Sequence, residues 1–299
     1  MLRKFEIMDV FTDAVTTGNQ LAVVYDSDGL ETGEMARIAR EFNLSETIFI
    51  APAEQEDCEA RIRIFTPANE LPFAGHPTVG AAIAITKRNG LQAGKSIDFC
   101  LKEEVGPVSC RVRYDGKDWF AEFDLPLIAE ETPPSGNLTS ATAALSLEEA
   151  DIGFENHAHS AFFAGLPYDL VPVKDLKAAA RAKPNMQHWH SGFGTHSHNS
   201  AYVYCRETVS PENDFHARMF APDAGIPEDP ATGSAVASFA GVIAKYENLN
   251  DGSHTFRIEQ GIEMGRPSLI FLTLEMRAGK IHSGSIGGNA VVFASGNLV

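Results

Sequence analysis

Apolar and polar residues alternate along most of the first 124 positions. The segments KFEIMDVF, QLAVVY, ETIFIA, ARIRIF, SIDFCLK, PVSCRVRY and DWFAEFDL put apolar side chains at nearly every second position, the repeat of a strand with one buried face. Two stretches break that repeat. TGEMARIARE, from Thr32, is amphipathic at the helical period and predicts a surface helix capped by Thr32 or Gly33. HPTVGAAIAITKRNG, from His76, is apolar on nearly all sides and ends at the turn signal Asn89-Gly90. Such a helix must be wrapped by other structure.

The second half follows the same order. Strand-like HSAFFAGL, YDLVPV, SAYVYC and FHARMFAP precede a second apolar helix, TGSAVASFAGVIAKY, and HTFRIE, SLIFLTLEM, KIHSG and NAVVFASG follow it. A fixed offset of 155 aligns FTPANELPFAGHPTVGAA with FAPDAGIPEDPATGSAVA, so that Phe65 matches Phe220, Pro67 matches Pro222 and Pro72 matches Pro227. On that offset Ala74 stands opposite Asp229 and His76 opposite Ala231. The pattern predicts an α+β protein of two similar halves, each a rolled, mostly antiparallel, barrel-like sheet around one buried helix, related by internal duplication. The Pro/Ser/Gly-rich ETPPSGN, residues 131–137, falls where a linker is expected.

Composition narrows the function. With 40 acidic and 24 basic residues the net charge is −16, which disfavours nucleic acid or an anionic membrane as partner and favours a small molecule. The N-terminal MLRKFEIMDVF has no apolar segment of signal-peptide length, and the longest apolar run, Ala235–Ala244, is too short for a membrane span. The chain therefore reads as cytoplasmic. Cys58, Cys100, Cys110 and Cys205 form no CxxC pair and are expected as reduced thiols.

Three polar clusters could carry chemistry. Glu46, in EFNLSETIFI, is either a solvated or capping carboxylate or one held at a strand edge, where partial burial suits acid–base work. His76, beside Gly75 in FAGHPT, is either a structural hydrogen-bonder or a group facing a ligand that the glycine allows to approach closely. Asp229 and Ser234, in EDPATGS, either cap the second helix or face a substrate. Helix N-termini favour carboxylates. Glu228 is expected to be a turn or surface residue. The histidines of HWHSGFGTHSHNS (His188, His190, His196 and His198) lack a metal-site spacing. GLQAGKS, residues 90–96, is one residue short of a phosphate-binding loop and follows a helix rather than a strand. No redox or dinucleotide motif emerges, so the residues suffice for proton transfer without a cofactor.

In order, DVFT…GNQLAVV, EFNLSETIFI, FTPANELPFAGHPTVGAA, RMFAPDAGIPEDPATGSA and QGIEMGRPS resemble the PhzF-like (phenazine biosynthesis) family, related in fold to diaminopimelate epimerase. The resemblance spans Phe5 to about Leu298. It implies two domains, 1–125 completed by the strand 286–299 and 126–285, with the active site in the cleft between them and a homodimer as the assembly. It also implies isomerisation by cofactor-free proton transfer, with Glu46 as acid–base residue, His76 and Asp229 as its catalytic partners, and Gly75 and Ser234 binding the substrate. The related epimerases place a cysteine pair at these helix mouths; here the stretches read AGH and PATGS, which argues against two-thiol epimerisation. A racemase or epimerase of amino-acid-type substrates, or a binding scaffold, remains the alternative.

Overall fold

The computed structural model describes residues 2–53, 57–196 and 199–299. The chain divides into two compact units, Met1–Asp124 with Gly287–Val299, and Leu125–Ile286. The first contains β1 (Arg3–Val10), β2 (Asn19–Val24), α1 (Thr32–Phe42), β3 (Glu46–Pro52), β4 (Ala60–Phe65), β5 (Glu70–Leu71), α2 (Gly75–Arg88), β6 (Lys95–Glu103), β7 (Gly106–Tyr114) and β8 (Trp119–Asp124). The second contains β9 (Glu130–Thr132), α3 (Leu138–Ala144), β10 (Ser160–Phe163), β11 (Pro167–Pro172), α4 (Leu176–Arg181), α5 (Trp189–Phe193), β12 (Ala201–Cys205), β13 (Phe215–Ala221), β14 (Ile226–Asp229), α6 (Gly233–Tyr246), β15 (Gly252–Gln260) and β16 (Ser268–Arg277). The last strand, β17 (Lys280–Leu298), passes from the second unit into the first at Gly287.

In the first unit β1 pairs with β2, β2 with β3, β3 with β4, β4 with β6, β6 with β7, β7 with β8, β8 with β17 and β17 with β1. The ring closes, which removes the open edges that would otherwise invite pairing with another chain. Helix α2 packs against β1, β2, β3, β7 and β8, and every residue from Gly75 to Thr86 is buried. Its uniform apolarity is thereby explained: a barrel wall meets it on all sides. Gly80 sits where an added Cβ would come within 2.3 Å of the Leu21 side chain, so helix and strand approach as closely as glycine allows.

The second unit repeats the pairing order. From β1 to β7 the successive pairs run antiparallel, parallel, antiparallel, parallel, antiparallel, and from β10 to β16 the sequence of senses is the same. In each, a short strand and the buried helix occupy the crossover between the parallel-paired strands, β4 to β6 and β13 to β15. The two units also share an anchor. Arg63 Nε and Nη2 donate to Glu70 Oε1 and Oε2, both at 2.6 Å, and Arg218 Nε and Nη2 donate to Glu228 Oε1 and Oε2 at 2.8 and 2.9 Å. Each bidentate fork ties the short strand to its neighbour.

These forks correct the sequence alignment. Arg63 and Arg218 obey the 155 offset, but Glu70 and Glu228 do not: three additional residues lie between β13 and α6, which starts thirteen positions after Phe220, whereas α2 starts ten after Phe65. Aligned on the helix starts, His76 corresponds to Ser234, not to Ala231, and Glu228 is half-buried on Arg218 rather than a surface residue.

Other expectations also shift. Glu31, not Thr32 or Gly33, caps α1, in a reciprocal capping box with Glu34. Residues Glu131 and Thr132 are paired in β9 instead of forming a linker. Helices α3, α4 and α5, of seven residues or fewer, carry too little periodicity to show in the sequence. Cys58 and Cys100 form a disulfide rather than two thiols: the parallel register Ala60–Leu101 brings their Cα atoms to 4.6 Å, within bridging distance. Cys110 and Cys205 are free and buried. Among the described residues no helix is long and apolar enough to cross a membrane.

Candidate active site

Glu46 and His76 meet in the first unit. Glu46 is the first residue of β3, paired in parallel with Leu21 of β2, and His76 is the second residue of α2. Both are buried, and Glu46 Oε2 lies 3.2 Å from His76 Nε2. The imidazole hydrogen-bonds to the Gln20 backbone, yet desolvation dominates and pushes its pKa down to about 3, so the ring is neutral near pH 7. A neutral ring that donates from one nitrogen offers a lone pair at the other. The Glu46–His76 contact is then attractive when one proton lies between them.

Gly75, the first residue of α2, is buried at the same helix mouth. No side chain caps this end, and Pro77 contributes no amide hydrogen. The polarity of the mouth therefore rests on backbone groups and on His76.

In the second unit Asp229 ends β14 and Ser234 is the second residue of α6. Asp229 is buried and accepts a short hydrogen bond from Thr232 Oγ1; its carbonyl accepts from Gln260 Nε2 at 2.7 Å, and Gln260 Nε2 also reaches Thr232 Oγ1 at 3.0 Å. Ser234 Oγ lies 2.7 Å from the Tyr168 hydroxyl. Strand alternation separates the two adjacent carboxylates: Glu228 goes to Arg218, and Asp229 to the turn that opens α6. Thr232, Gln260 and Tyr168 were missed as site residues, since a glutamine at a strand end and a strand tyrosine carry no distinctive spacing.

The histidine loop is engaged elsewhere. His190 Nδ1 is 3.4 Å from Asp223, and His196 Nε2 is 3.8 Å from the buried Asp169, which also accepts from His159 Nε2 at 2.9 Å. His198 lies outside the described residues. Among the described residues no group of three or more His, Cys, Asp or Glu side chains is arranged to hold a metal ion.

Comparison with known proteins identifies the scaffold. The model of the phenazine biosynthesis-like protein family matches residues 8–296. An uncharacterised isomerase of Mesorhizobium japonicum is 49% identical over 99% of this chain and 98% of its own length. The trans-2,3-dihydro-3-hydroxyanthranilate isomerase of Pseudomonas chlororaphis is 33% identical over the full length of both chains. The crystal structure of a PhzF-family phenazine biosynthesis protein from Bacillus anthracis superposes with a TM-score of 0.89 at 25% identity, covering 100% of this chain and 99% of that one. Two barrel-like units with the same pairing order, a carboxylate–imidazole pair at a buried helix mouth, and full-length similarity to named isomerases lead to one conclusion: this chain is an isomerase of the PhzF, phenazine biosynthesis-like, family.

Proposed function

We propose that the chain isomerises a small cyclic carboxylate, trans-2,3-dihydro-3-hydroxyanthranilate or a close analogue, by cofactor-independent proton transfer through Glu46. The observation that carries this reading is the buried Glu46–His76 contact at 3.2 Å around a neutral imidazole. As a carboxylate, Glu46 takes a proton from one substrate carbon. As the acid, it returns that proton to another carbon, and the double bond migrates with no net gain or loss of atoms. His76 holds the proton's partner lone pair in the interval and keeps the carboxyl oriented. The same proposal assigns Asp229 a catalytic role and gives Gly75 and Ser234 the substrate carboxylate, because helix N-termini favour anions. A 33% identical relative named for this reaction supports the substrate class.

A thiol-based racemase is disfavoured by where the cysteines lie. Cys58 and Cys100 are bridged, and burial pushes the thiols of Cys110 and Cys205 up, the latter to about 12. Incubation with trans-2,3-dihydro-3-hydroxyanthranilate in deuterium oxide tests the proposal. Turnover with deuterium at the new carbon is expected, and Glu46→Gln should lower it by about 10²–10⁴-fold. Undiminished turnover in that variant removes Glu46 from the mechanism, and inversion at a single carbon of an amino acid would favour the racemase.

A further inference from the structure

The segment carrying Gly75 and His76 is braced by the turn between β6 and β7. Val105 N donates to the Pro72 carbonyl at 3.0 Å. On the last residue of β6, Glu103, the carboxyl Oε1 lies 2.8 Å from Thr78 Oγ1, and that hydroxyl lies 2.8 Å from the carbonyl of Ala74, the capping residue of α2. Glu103 is 2% exposed, and its Oε2 makes no hydrogen bond to any described residue.

The Thr78 hydroxyl has a single proton to give. If Glu103 were a carboxylate, Ala74 and Glu103 would compete for that proton. If Glu103 is the acid, it donates to Thr78 and Thr78 donates to Ala74, so both contacts are satisfied. We propose that Glu103 is a positioning residue for His76: in its acid form it passes a hydrogen bond through Thr78 to the Ala74 carbonyl and fixes the mouth of α2. The role of His76 itself rests on the proposed function.

The surroundings agree. Burial pushes the Glu103 carboxyl up to about 8 against the opposing hydrogen bond from Thr78. Glu103 also lines a cavity of about 520 Å³. Around that cavity stand Arg61 and Arg63 of β4, Glu70 of β5, and Lys102 and Glu104 beside Glu103, with Arg63 held by Glu70. From β7 the Cys110 thiol faces the same carboxyl; burial and the charges of Glu103 and Asp124 push it far above the usual range, so it keeps its proton while Glu103 ionises. Above a pH of about 8, ionised Glu103 draws the Thr78 proton from Ala74, and the helix mouth loosens.

Glu103→Gln is the decisive variant, because its amide donates to Thr78 but does not titrate. Near neutral pH its turnover should lie within about twofold of the natural protein, and it should lack the natural protein's loss of kcat at alkaline pH; Glu103→Ala should lose about tenfold in kcat with little change in KM. Two readouts need no substrate. The infrared carbonyl band of a protonated carboxyl should be present at neutral pH and absent in Glu103→Gln. The His76 ring signals in NMR should shift as pH passes about 8 in the natural protein and not in the variant. A persistent alkaline loss of kcat in Glu103→Gln, or no protonated-carboxyl band in the natural protein, overturns the proposal. Failure of the proposed function would show instead in Glu46→Gln, leaving the infrared and NMR tests in force; should Glu103→Ala not fold, Glu103→Gln still decides.

Discussion

Two histidines, one in each unit, are almost completely excluded from water, yet one is neutral and the other cationic near pH 7. His76, at the mouth of α2, has its imidazolium pushed down to about 3. His216, on β13, has Nδ1 2.9 Å from Glu259 and Nε2 3.0 Å from Glu263, and these contacts overcome burial to raise it to about 9. The charge of Glu259 is held further by the amides of Val209 and Ser210 and by Asn213 Nδ2. Burial by itself favours the neutral ring; two hydrogen-bonded carboxylates reverse that preference. A neutral ring at a helix mouth can share a substrate's proton, whereas a cation clamped between two anions serves β13 and β15 as a strut.

The sharpest way to break this comparison is to remove each ring in turn. His76→Asn should lower turnover by about 10²–10⁴-fold with little change in urea unfolding; equal losses of activity and stability would make His76 structural. His216→Ala should do the reverse, costing about 3–5 kcal/mol in urea unfolding because the buried Glu259, with Glu263 beside it, loses its cation, with turnover per folded molecule unchanged. A stable His216→Ala protein would show the strut to be dispensable.

The pH dependence should separate them next. His216 is raised from 6.5 to about 9, so the stability it contributes is fully present below pH 6.5 and lost as pH rises through about 9. His76 is depressed from 6.5 to about 3, so its contribution is present above pH 6.5 and lost as pH falls toward 3. Unfolding free energies measured across pH should therefore lose the part of their alkaline decline centred near pH 9 in His216→Ala, and part of their acid decline in His76→Asn. The smallest effect concerns the paired forks. Glu228→Gln, on the buried Arg218, should cost about 1.5 kcal/mol, and Glu70→Gln, on the more exposed Arg63, about 0.5 kcal/mol. Equal losses would mean that exposure does not set the strength of the two anchors.

Much of the scaffold is legible in the residues because it depends on local periodicity. Strand alternation in ARIRIF and SLIFLTLEM, and the all-round apolarity of the runs after His76 and Ser234, follow from which faces touch water. Glu46 and His76 could be picked out by their place at the ends of such elements. The halves align three residues away from the sequence offset beyond the short strand, since offsets cannot show where a short strand ends and a helix begins; the Arg63–Glu70 and Arg218–Glu228 forks and the helix starts reveal it. Glu103 gave no signal at all, being one glutamate in KEE at a hairpin turn.

The sequence alone thus determined the longer strands and helices, the two-helix plan and the family, since each is written in periodicity and in ordered motifs along the chain. Tertiary structure decided which groups share a proton and which share a charge. Glu46 meets His76 across 30 positions, Glu103 meets Thr78 across 25 and His216 meets Glu259 across 43. The protonation state of each pair follows from distance and from exclusion of water, and neither quantity exists until the sheets close around the helices.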